Sequence, residues 1–278
     1  MPELPEVETV RRGLEQLVVG RHIDEVVVGR ERTVRRTSRQ ALIDGLTGTT
    51  IEAADRHGKY LVLPLDSGDS LMIHLRMSGQ VLVARADAAP PPHTHVQLRF
   101  DDGTALWFVD PRTFGEMVVF DPDNVEVEVP DLARLGPDPI ADGLTVGQLR
   151  AIVRTRHRQL KQLLLDQHVI AGIGNIYGDE ILHAAKLRPD RSSDSLSRRS
   201  EALLHRSIHD VLTAAIGAGG STLRDAQYVD LFGNGGSYQD EHVVYGRAGE
   251  RCRTCGRGVI RRIVVAQRST HYCPVCQR

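Results

Sequence analysis

Residues 59–120 read KYLVLPLDSGDSLMIHLRMSGQVLVARADAAPPPHTHVQLRFDDGTALWFVDPRTFGEMVVF, a succession of short runs rich in β-branched and other apolar residues. Turn-forming residues divide the runs, as at 66–69 (DSGD) and 101–103 (DDG). Short strands separated by turns at this spacing are typical of an antiparallel sandwich or barrel. A similar run at 24–28 (DEVVV) extends the pattern toward the N-terminus. We therefore predict an antiparallel β-sandwich in the first half of the chain.

Helical patterns lie on both sides of these strands. Apolar residues recur at the helical period through residues 3–17, and Gly20 follows as a stop signal. The same period returns beyond residue 143, in TVGQLRAIVRTR, LKQLLLDQ, NIYGDEILHAAK and SRRSEALLHRSIHDVLTAAIGAG. The predicted fold class is α+β: an N-terminal helix with the β-sandwich, then a helical domain and a cysteine-bearing C-terminal hairpin.

The linker between the β-rich and helical parts is predicted at residues 131–143, within PDLARLGPDPIADG, where three prolines and two glycines cluster. We expect an N-terminal domain at 1–130 and a helical domain at 144–240, which includes a Gly-rich loop. A tail at 241–278 follows. No internal repeat or low-complexity segment interrupts this order.

Composition and charge narrow the class of protein. The chain has 278 residues, of which 41% are hydrophobic and 26% charged, as in ordinary globular proteins. No apolar run is long enough to span a bilayer, and the opening MPELPEVETV is acidic where a secretory signal would be basic. We expect a protein of the cytoplasm without a membrane partner.

The net charge of −1 hides two basic segments. Residues 150–161 (RAIVRTRHRQLK) hold four arginines and one lysine without an acid, and residues 247–278 hold eight arginines against one glutamate. Such segments suggest a face that binds a polyanion, although most basic runs are only solvated charge.

All the cysteines lie in the last 27 residues, as two Cys-x2-Cys pairs separated by seventeen residues. Paired knuckles of this kind supply four thiolates to one tetrahedral zinc ion, which leaves no open coordination position for catalysis. Two disulfides are the alternative, which a cytoplasmic setting disfavours. We predict one structural Zn²⁺ on a zinc-finger hairpin, with Arg268 near its tip and with the ligands Cys252, Cys255, Cys273 and Cys276.

The N-terminus combines a proline with carboxylates. Removal of Met1 would give Pro2 a free secondary amine, whose pKa near ~8 leaves a useful neutral fraction at pH 7. Such an amine can attack the anomeric carbon of a sugar to form a charged iminium. Glu3 and Glu6, within one turn, are placed to move protons. The alternative is a helix start that simply favours proline and acids.

Motifs along the whole chain resemble the formamidopyrimidine-DNA glycosylase family. They are MPELPEVETVRRGL, HGKYLVL, HLRMSG, DPRTFG, LLLDQ with AGIGNIYGDE, VYGR and AQRSTHYCPVC, in that order. The resemblance implies a β-sandwich domain, a helix-two-turn-helix domain and a zinc finger. It also implies a bifunctional base-excision repair enzyme that removes 8-oxoguanine and ring-opened purines from double-stranded DNA and cleaves the abasic strand by β,δ-elimination.

The resemblance also implies roles for single residues. Pro2 would be the Schiff-base nucleophile and Glu3 the proton donor to the sugar, with Glu6 beside them. Lys59 of HGKY would be the proton donor of β-elimination. Arg268 would serve at the δ step while holding a phosphate.

Two further sets of residues fall where the family touches DNA. In DNA binding we place His74, Arg76, His93, Arg112, Arg156, Lys161, Asn175 and Tyr245. The side chains that fill the gap left by an everted base would be Met77, Arg112 and Phe114.

The chain departs from the family pattern in two places. Thr113 stands where a second basic residue often follows, and the loop at about 222–240 differs from the commoner form. His95, close to His93, leaves open which of the two histidines contacts DNA. We expect a monomer in the bacterial cytosol, associated with the nucleoid through DNA. The alternatives are an endonuclease VIII-like enzyme for oxidised pyrimidines and a catalytically silent zinc-ribbon DNA-binding protein.

Overall fold

The computed structural model describes residues 1–223 and 228–278, which form two compact units. Unit 1 comprises Met1–Arg134 with Ala218–Ser237, and unit 2 comprises Leu135–Gly217 with Tyr238–Arg278. The helical and cysteine-bearing segments thus share one unit. Part of the predicted loop at 222–240, residues 224–227, lies outside the described residues.

The segment Ala218–Ser237 packs in unit 1, whereas the sequence pattern grouped it with the helical domain. The physical reason is contact with the N-terminal elements. Leu231 is buried, and its side chain lies against Gly13. A Cβ atom added to Gly13 would be only 3.0 Å from Leu231 Cδ1. The Leu231 carbonyl accepts a hydrogen bond from the Val83 N–H at 3.2 Å.

Two antiparallel four-stranded sheets form the body of unit 1, which confirms the predicted sandwich. The elements are α1 Leu4–Leu17, β1 Ile23–Val28, α2 Arg39–Leu46, β2 Asp55–His57, β3 Tyr60–Pro64, β4 Ser70–His74, β5 Gln80–Arg85, β6 Thr94–Phe100, β7 Thr104–Val109, β8 Glu116–Phe120, α3 Val125–Glu128 and α4 Pro130–Ala133. The strand orders of the two sheets are β1-β6-β7-β5 and β2-β3-β4-β8.

The core of unit 1 follows from the sequence periods. In β6, alternate residues Val96, Leu98 and Phe100 point inward, as the pleat requires. The strand β4 is buried at every position because it lies between β3 and β8. The apolar stripe of α1 joins the same core and so fixes the N-terminus against the sheet.

Unit 2 is built from helices and one hairpin. Thr145 and Gln148 form a reciprocal capping box at the start of the first helix. The elements are α5 Val146–Thr155, α6 Leu160–Leu165, α7 Asn175–Ala184, α8 Arg198–Gly217, β9 Arg261–Val265 and β10 Arg268–Tyr272. The helix α7 packs against α6, α8 and strand β10. Across the ranges 1–223 and 228–278, no helix has the length and apolar character needed to cross a membrane.

Candidate functional site

The start of α1 gathers the carboxylates that the sequence singled out. Pro2 is buried, and Glu3 caps the helix. The Glu3 N–H donates to Glu6 Oε2 at 2.7 Å, while Glu6 Oε1 accepts from the Ser221 N–H at 2.7 Å. Both carboxylates are about as buried as core leucines. Glu6 therefore links the N-terminus to the segment that begins at Ala218.

Lys59 lies in the tight turn between β2 and β3 and is only 6% exposed. Both strands pack against α1, and the Arg56 Nε–Glu8 Oε2 ion pair at 2.9 Å joins the sheet to the helix. The Lys59 ammonium is thus carried by the turn between β2 and β3, the two strands that pack against α1.

His74 ends β4 with its ring edge against Tyr60, at 4.2 Å between centroids. Burial, followed by the charges of Arg76 and Lys59, lowers the pKa of His74 well below its usual value. The imidazole is therefore neutral at pH 7. Because Nδ1 accepts the Arg76 N–H at 2.9 Å, the proton lies on Nε2, which is left as a hydrogen-bond donor.

The loops that carry Met77 and Phe114 are joined by a buried acid. Asp110 Oδ1 accepts from Ser78 Oγ at 2.5 Å, and Asp110 Oδ2 accepts from the Gly115 N–H at 2.6 Å. The Asp110 side chain is fully buried. Phe114 remains 37% exposed at the surface of its loop. The structure thus brings together the loops of the residues expected to fill the gap, Met77, Arg112 and Phe114.

The two neighbouring histidines separate clearly. His95 is buried, and the Nε2 atom hydrogen-bonds the Asp110 carbonyl at 2.8 Å. His93 is exposed, and the backbone carbonyl accepts from the Asp110 N–H at 3.0 Å. Of the two, only His93 has a side chain available to a ligand.

Lys161 requires a correction, because the structure contradicts the expected DNA contact. The side chain is fully buried. Its Nζ donates to Asp179 Oδ1 at 2.6 Å and to the Asn175 carbonyl at 2.7 Å. Asp179 Oδ2 also accepts the His271 N–H at 2.8 Å. Lys161 ends the basic run at 150–161, which suggested an exposed cation, but it occupies a buried position of α6.

Several of the residues predicted to contact DNA lie on α5, α7 and β10 of unit 2. Asn175 Nδ2 donates to the Ser269 carbonyl at 2.9 Å, so one amide hydrogen ties α7 to β10. Arg268 begins β10, directly after the two-residue turn, and is exposed. Arg156 is half-buried at the end of α5.

Tyr245 is held by a buried carboxylate. Glu180 on α7 accepts the Val243, Val244 and Tyr245 N–H groups at 3.0, 2.9 and 2.8 Å. Three donors on one carboxylate fix the backbone of this turn. The Tyr245 ring also packs edge-on against His271, at 5.3 Å between centroids.

The four cysteines fit one zinc ion. Their sulfur atoms all lie within 4.8 Å of one another, and the Cys252–Cys276 and Cys255–Cys273 separations are 3.8 Å. A tetrahedral shell with Zn–S bonds near ~2.3 Å requires sulfur atoms about 3.8 Å apart, whereas a disulfide bond is near ~2.05 Å. The thiolates therefore hold a structural Zn²⁺, and the disulfide alternative is excluded.

Sequence reasoning missed the buried acids Asp110, Asp179 and Glu180 and the cation Arg35. Each acid occurs in a quoted motif, DPRTFG or GNIYGDE, so an acid within a motif was the available signal. Arg35 lies in the segment RERTVRR at 30–36, in which Glu31 interrupts the run of arginines.

Family models match the chain in three stretches. They describe the formamidopyrimidine-DNA glycosylase N-terminal domain at residues 1–117, the H2TH domain of the same glycosylase at 135–227, and a zinc finger found in FPG and IleRS at 249–278. The chain belongs to the formamidopyrimidine-DNA glycosylase family.

Relatives of the same name span the whole chain. Formamidopyrimidine-DNA glycosylase from Enterococcus faecalis is 42% identical over all of this chain and 98% of its own length. The protein of that name from Herpetosiphon aurantiacus is 44% identical over the full length of both.

Solved structures agree with this family assignment. Lactococcus lactis Fpg in complex with abasic-site DNA aligns with a TM-score of 0.90 at 39% identity over 99% of both chains. A mutant of that enzyme with Fapy-dG containing DNA also aligns at 0.90 and 39%, over all of both chains. The α+β architecture described above is that of the formamidopyrimidine-DNA glycosylase family.

Proposed function

We propose that this chain is a DNA repair enzyme that excises oxidised purines and then cleaves the strand at the resulting abasic site. The observation that carries the proposal is the N-terminus of α1. Pro2 precedes two buried carboxylates there, in a chain that family models of this glycosylase and its zinc finger match at residues 1–117, 135–227 and 249–278.

The nucleophile is the Pro2 nitrogen, once Met1 has been removed. Its lone pair attacks C1′ of the damaged nucleotide, and the glycosidic bond breaks with its electron pair leaving on the base. Glu3 protonates the sugar oxygen O4′, which assists this departure. The attached nitrogen then releases its proton, and its lone pair expels O4′ as a hydroxyl, so that the C1′–O4′ bond breaks and the sugar ring opens. The product is an iminium between Pro2 and the sugar, which draws electrons from the neighbouring carbons.

Strand cleavage follows from the iminium by elimination. Loss of a C2′ proton expels the 3′ phosphate, and a second elimination expels the 5′ phosphate. Lys59 serves as the proton donor in the first step, and Arg268 serves in the second while holding a phosphate. Glu6 supports Pro2 through the Glu3 N–H.

DNA binding uses cations and neutral donors in both units. His74 offers its Nε2–H to a phosphate, because the neutral imidazole already uses Nδ1 as an acceptor. Phe114, Met77 and Arg112 fill the gap left by the everted base. The remaining proposed phosphate contacts are Arg76, His93, Arg156, Asn175 and Tyr245.

The setting follows from the substrate. We place the enzyme in the cytoplasm, where it acts on double-stranded DNA as a monomer. The proposed domains are a catalytic β-sandwich at 1–130, a linker at 131–143, a helix-two-turn-helix domain at 144–240, whose segment Ala218–Ser237 packs in unit 1, and a zinc finger at 241–278.

Cleavage of matched duplexes tests the function. Duplexes that carry 8-oxoguanine opposite cytosine, or thymine glycol opposite adenine, are incubated with the untagged protein. We expect cleavage of the 8-oxoguanine strand at the higher rate. Faster cleavage at thymine glycol would instead favour an endonuclease VIII-like enzyme. Binding without cleavage of either duplex would indicate a silent DNA-binding protein.

A further inference from the structure

Two guanidinium groups lie close to the exposed ring of Phe114. The Arg112 Cζ is 5.3 Å from the ring centroid, and the Arg32 Cζ is 5.7 Å from it. These distances fall in the range where the quadrupole of an aromatic ring attracts a cation. Arg32 comes from a different part of the chain, before α2, and it makes no ion pair with any described residue.

A third arginine binds the backbone of Phe114 and of the residue that follows it. The Arg35 Nη2 donates to the Phe114 carbonyl at 2.6 Å and to the Gly115 carbonyl at 3.3 Å. Asp110 binds the Gly115 N–H from the inside of the same loop. The loop is therefore held from the interior by a buried acid and from the surface by an exposed cation.

The segment that carries these arginines is itself anchored. Thr33 and Val34 are buried in a 3-10 turn at Glu31–Val34, while Arg32 and Arg35 are exposed on either side of them. Arg36 makes ion pairs with Glu116 and Asp131. This anchoring presents Arg32 and Arg35 to the loop at 110–115 as a fixed support.

We propose that Arg35 and Arg32 are positioning residues for base eversion, which hold Phe114 in the orientation that enters the DNA stack. The inference rests on the proposed function. A wedge must keep its position while stacked bases press against it, and Pro111, Arg112 and Phe114 at the tip of this loop are exposed. Arg35 supplies backbone hydrogen bonds, and Arg32 supplies a contact to the ring.

Two substrates separate eversion from chemistry. Base excision from a paired 8-oxoguanine:cytosine duplex requires eversion, whereas cleavage at a pre-formed abasic site involves no base to unstack. We expect Arg35→Ala to slow excision about tenfold, because charged hydrogen bonds to the loop are lost, and to slow abasic-site cleavage far less. Arg32→Ala should also lower the ratio of the excision rate to the abasic-site cleavage rate, but by a smaller factor than Arg35→Ala.

A double variant tests whether Arg35 acts through Phe114. The rate of Phe114→Ala with Arg35→Ala should equal that of Phe114→Ala alone, because a wedge that is absent cannot be positioned. Arg35→Lys should restore only part of the loss, since one ammonium replaces a planar group that reaches two carbonyls. Arg85→Ala is the matched control, because Arg85 is an exposed arginine of unit 1 whose one ion pair among the described residues is with Asp87. It should match the wild type on both substrates.

The outcomes are distinct. Equal slowing on both substrates, additive losses in the double variant, or full restoration by lysine would overturn the inference and leave Arg35 as a phosphate contact or a source of general charge. Wild-type rates in Arg35→Ala would overturn it as well. Failure of the wild type to excise 8-oxoguanine would overturn the proposed function, and the inference with it.

Discussion

At the scale of single residues, Thr113 lies in the left-handed backbone region with φ at +58°, in the loop that presents Phe114. A β-branched side chain crowds its own backbone there, at a cost of about 1–3 kcal/mol. The hydrogen bonds of Asp110 and Arg35 to the same loop offset this cost. A residue that departs from the family pattern is thus also strained.

Thr113→Gly should raise the free energy of unfolding by about 1 kcal/mol, because glycine adopts a positive φ without crowding. Thr113→Val is the matched control, since it keeps the β-branch and should give no gain. Urea denaturation of the three proteins measures the difference. Stabilisation by valine equal to that by glycine would contradict the strain.

Glu8 links α1 to the sheet through Arg56, and its carboxylate is surrounded by arginine side chains. Burial raises the pKa of Glu8, but hydrogen bonds from Arg11, Arg56 and Arg12 outweigh burial and hold the pKa below its usual value. A carboxyl with a lowered folded pKa contributes stability above its unfolded pKa, near ~4.3, and loses this contribution as pH falls through the folded pKa.

Glu8→Gln should therefore flatten the acid side of the stability profile while lowering stability at pH 7. The unfolding midpoint is measured from neutral pH to about pH 3, across the interval in which carboxylates take up protons. Glu15→Gln, at an exposed partner of Arg11, should leave the profile close to that of the wild type. An unchanged acid slope in Glu8→Gln would show that Glu8 does not contribute in this way.

At the scale of elements, the Lys161–Asp179 pair joins α6 to α7 in a fully buried position. Asp179 also holds β10 through the His271 N–H. The hairpin that carries Arg268 therefore depends on a carboxylate whose charge is balanced by Lys161.

Lys161→Met should lower the stability of unit 2 by about 3–5 kcal/mol, because it leaves a buried carboxylate without its cation. Arg158→Ala breaks an exposed pair with Asp166 and should cost under ~1 kcal/mol. Thermal unfolding compares the two variants. A loss of DNA affinity in Lys161→Met, without any loss of stability, would restore the original expectation of a phosphate contact.

At the scale of the whole molecule, DNA binding should weaken strongly as salt rises, because each cation on a phosphate releases counterions. A plot of log affinity against log salt concentration should have a negative slope. Arg268→Ala should make this slope less steep by about 0.9, the value of one phosphate contact. Fluorescence anisotropy with an abasic-analogue duplex measures the slope. A flat affinity between low and moderate salt would contradict binding through the phosphate backbone.

The sequence was most informative where the structure depends on local spacing. Strand periods, turn residues and the Cys-x2-Cys pairs predicted the sandwich and the zinc ion, because neighbours in the chain decide these features. Partners distant in the chain could not be predicted. Glu180 meets Val243–Tyr245 more than sixty residues away, and the burial of Lys161 depends on Asp179 in another helix. The packing of Ala218–Ser237 in unit 1 likewise depends on Leu231 reaching Gly13.

The central claim is that the Pro2 nitrogen becomes covalently joined to the sugar. Borohydride reduction of the untagged protein on 8-oxoguanine DNA, followed by mass spectrometry of the trapped peptide, tests it most directly. We expect the adduct on Pro2, and none when Met1 is retained, since the nitrogen is then an amide without a nucleophilic lone pair. An adduct on Lys59 or Lys161, or equal trapping with Met1 in place, would contradict the account.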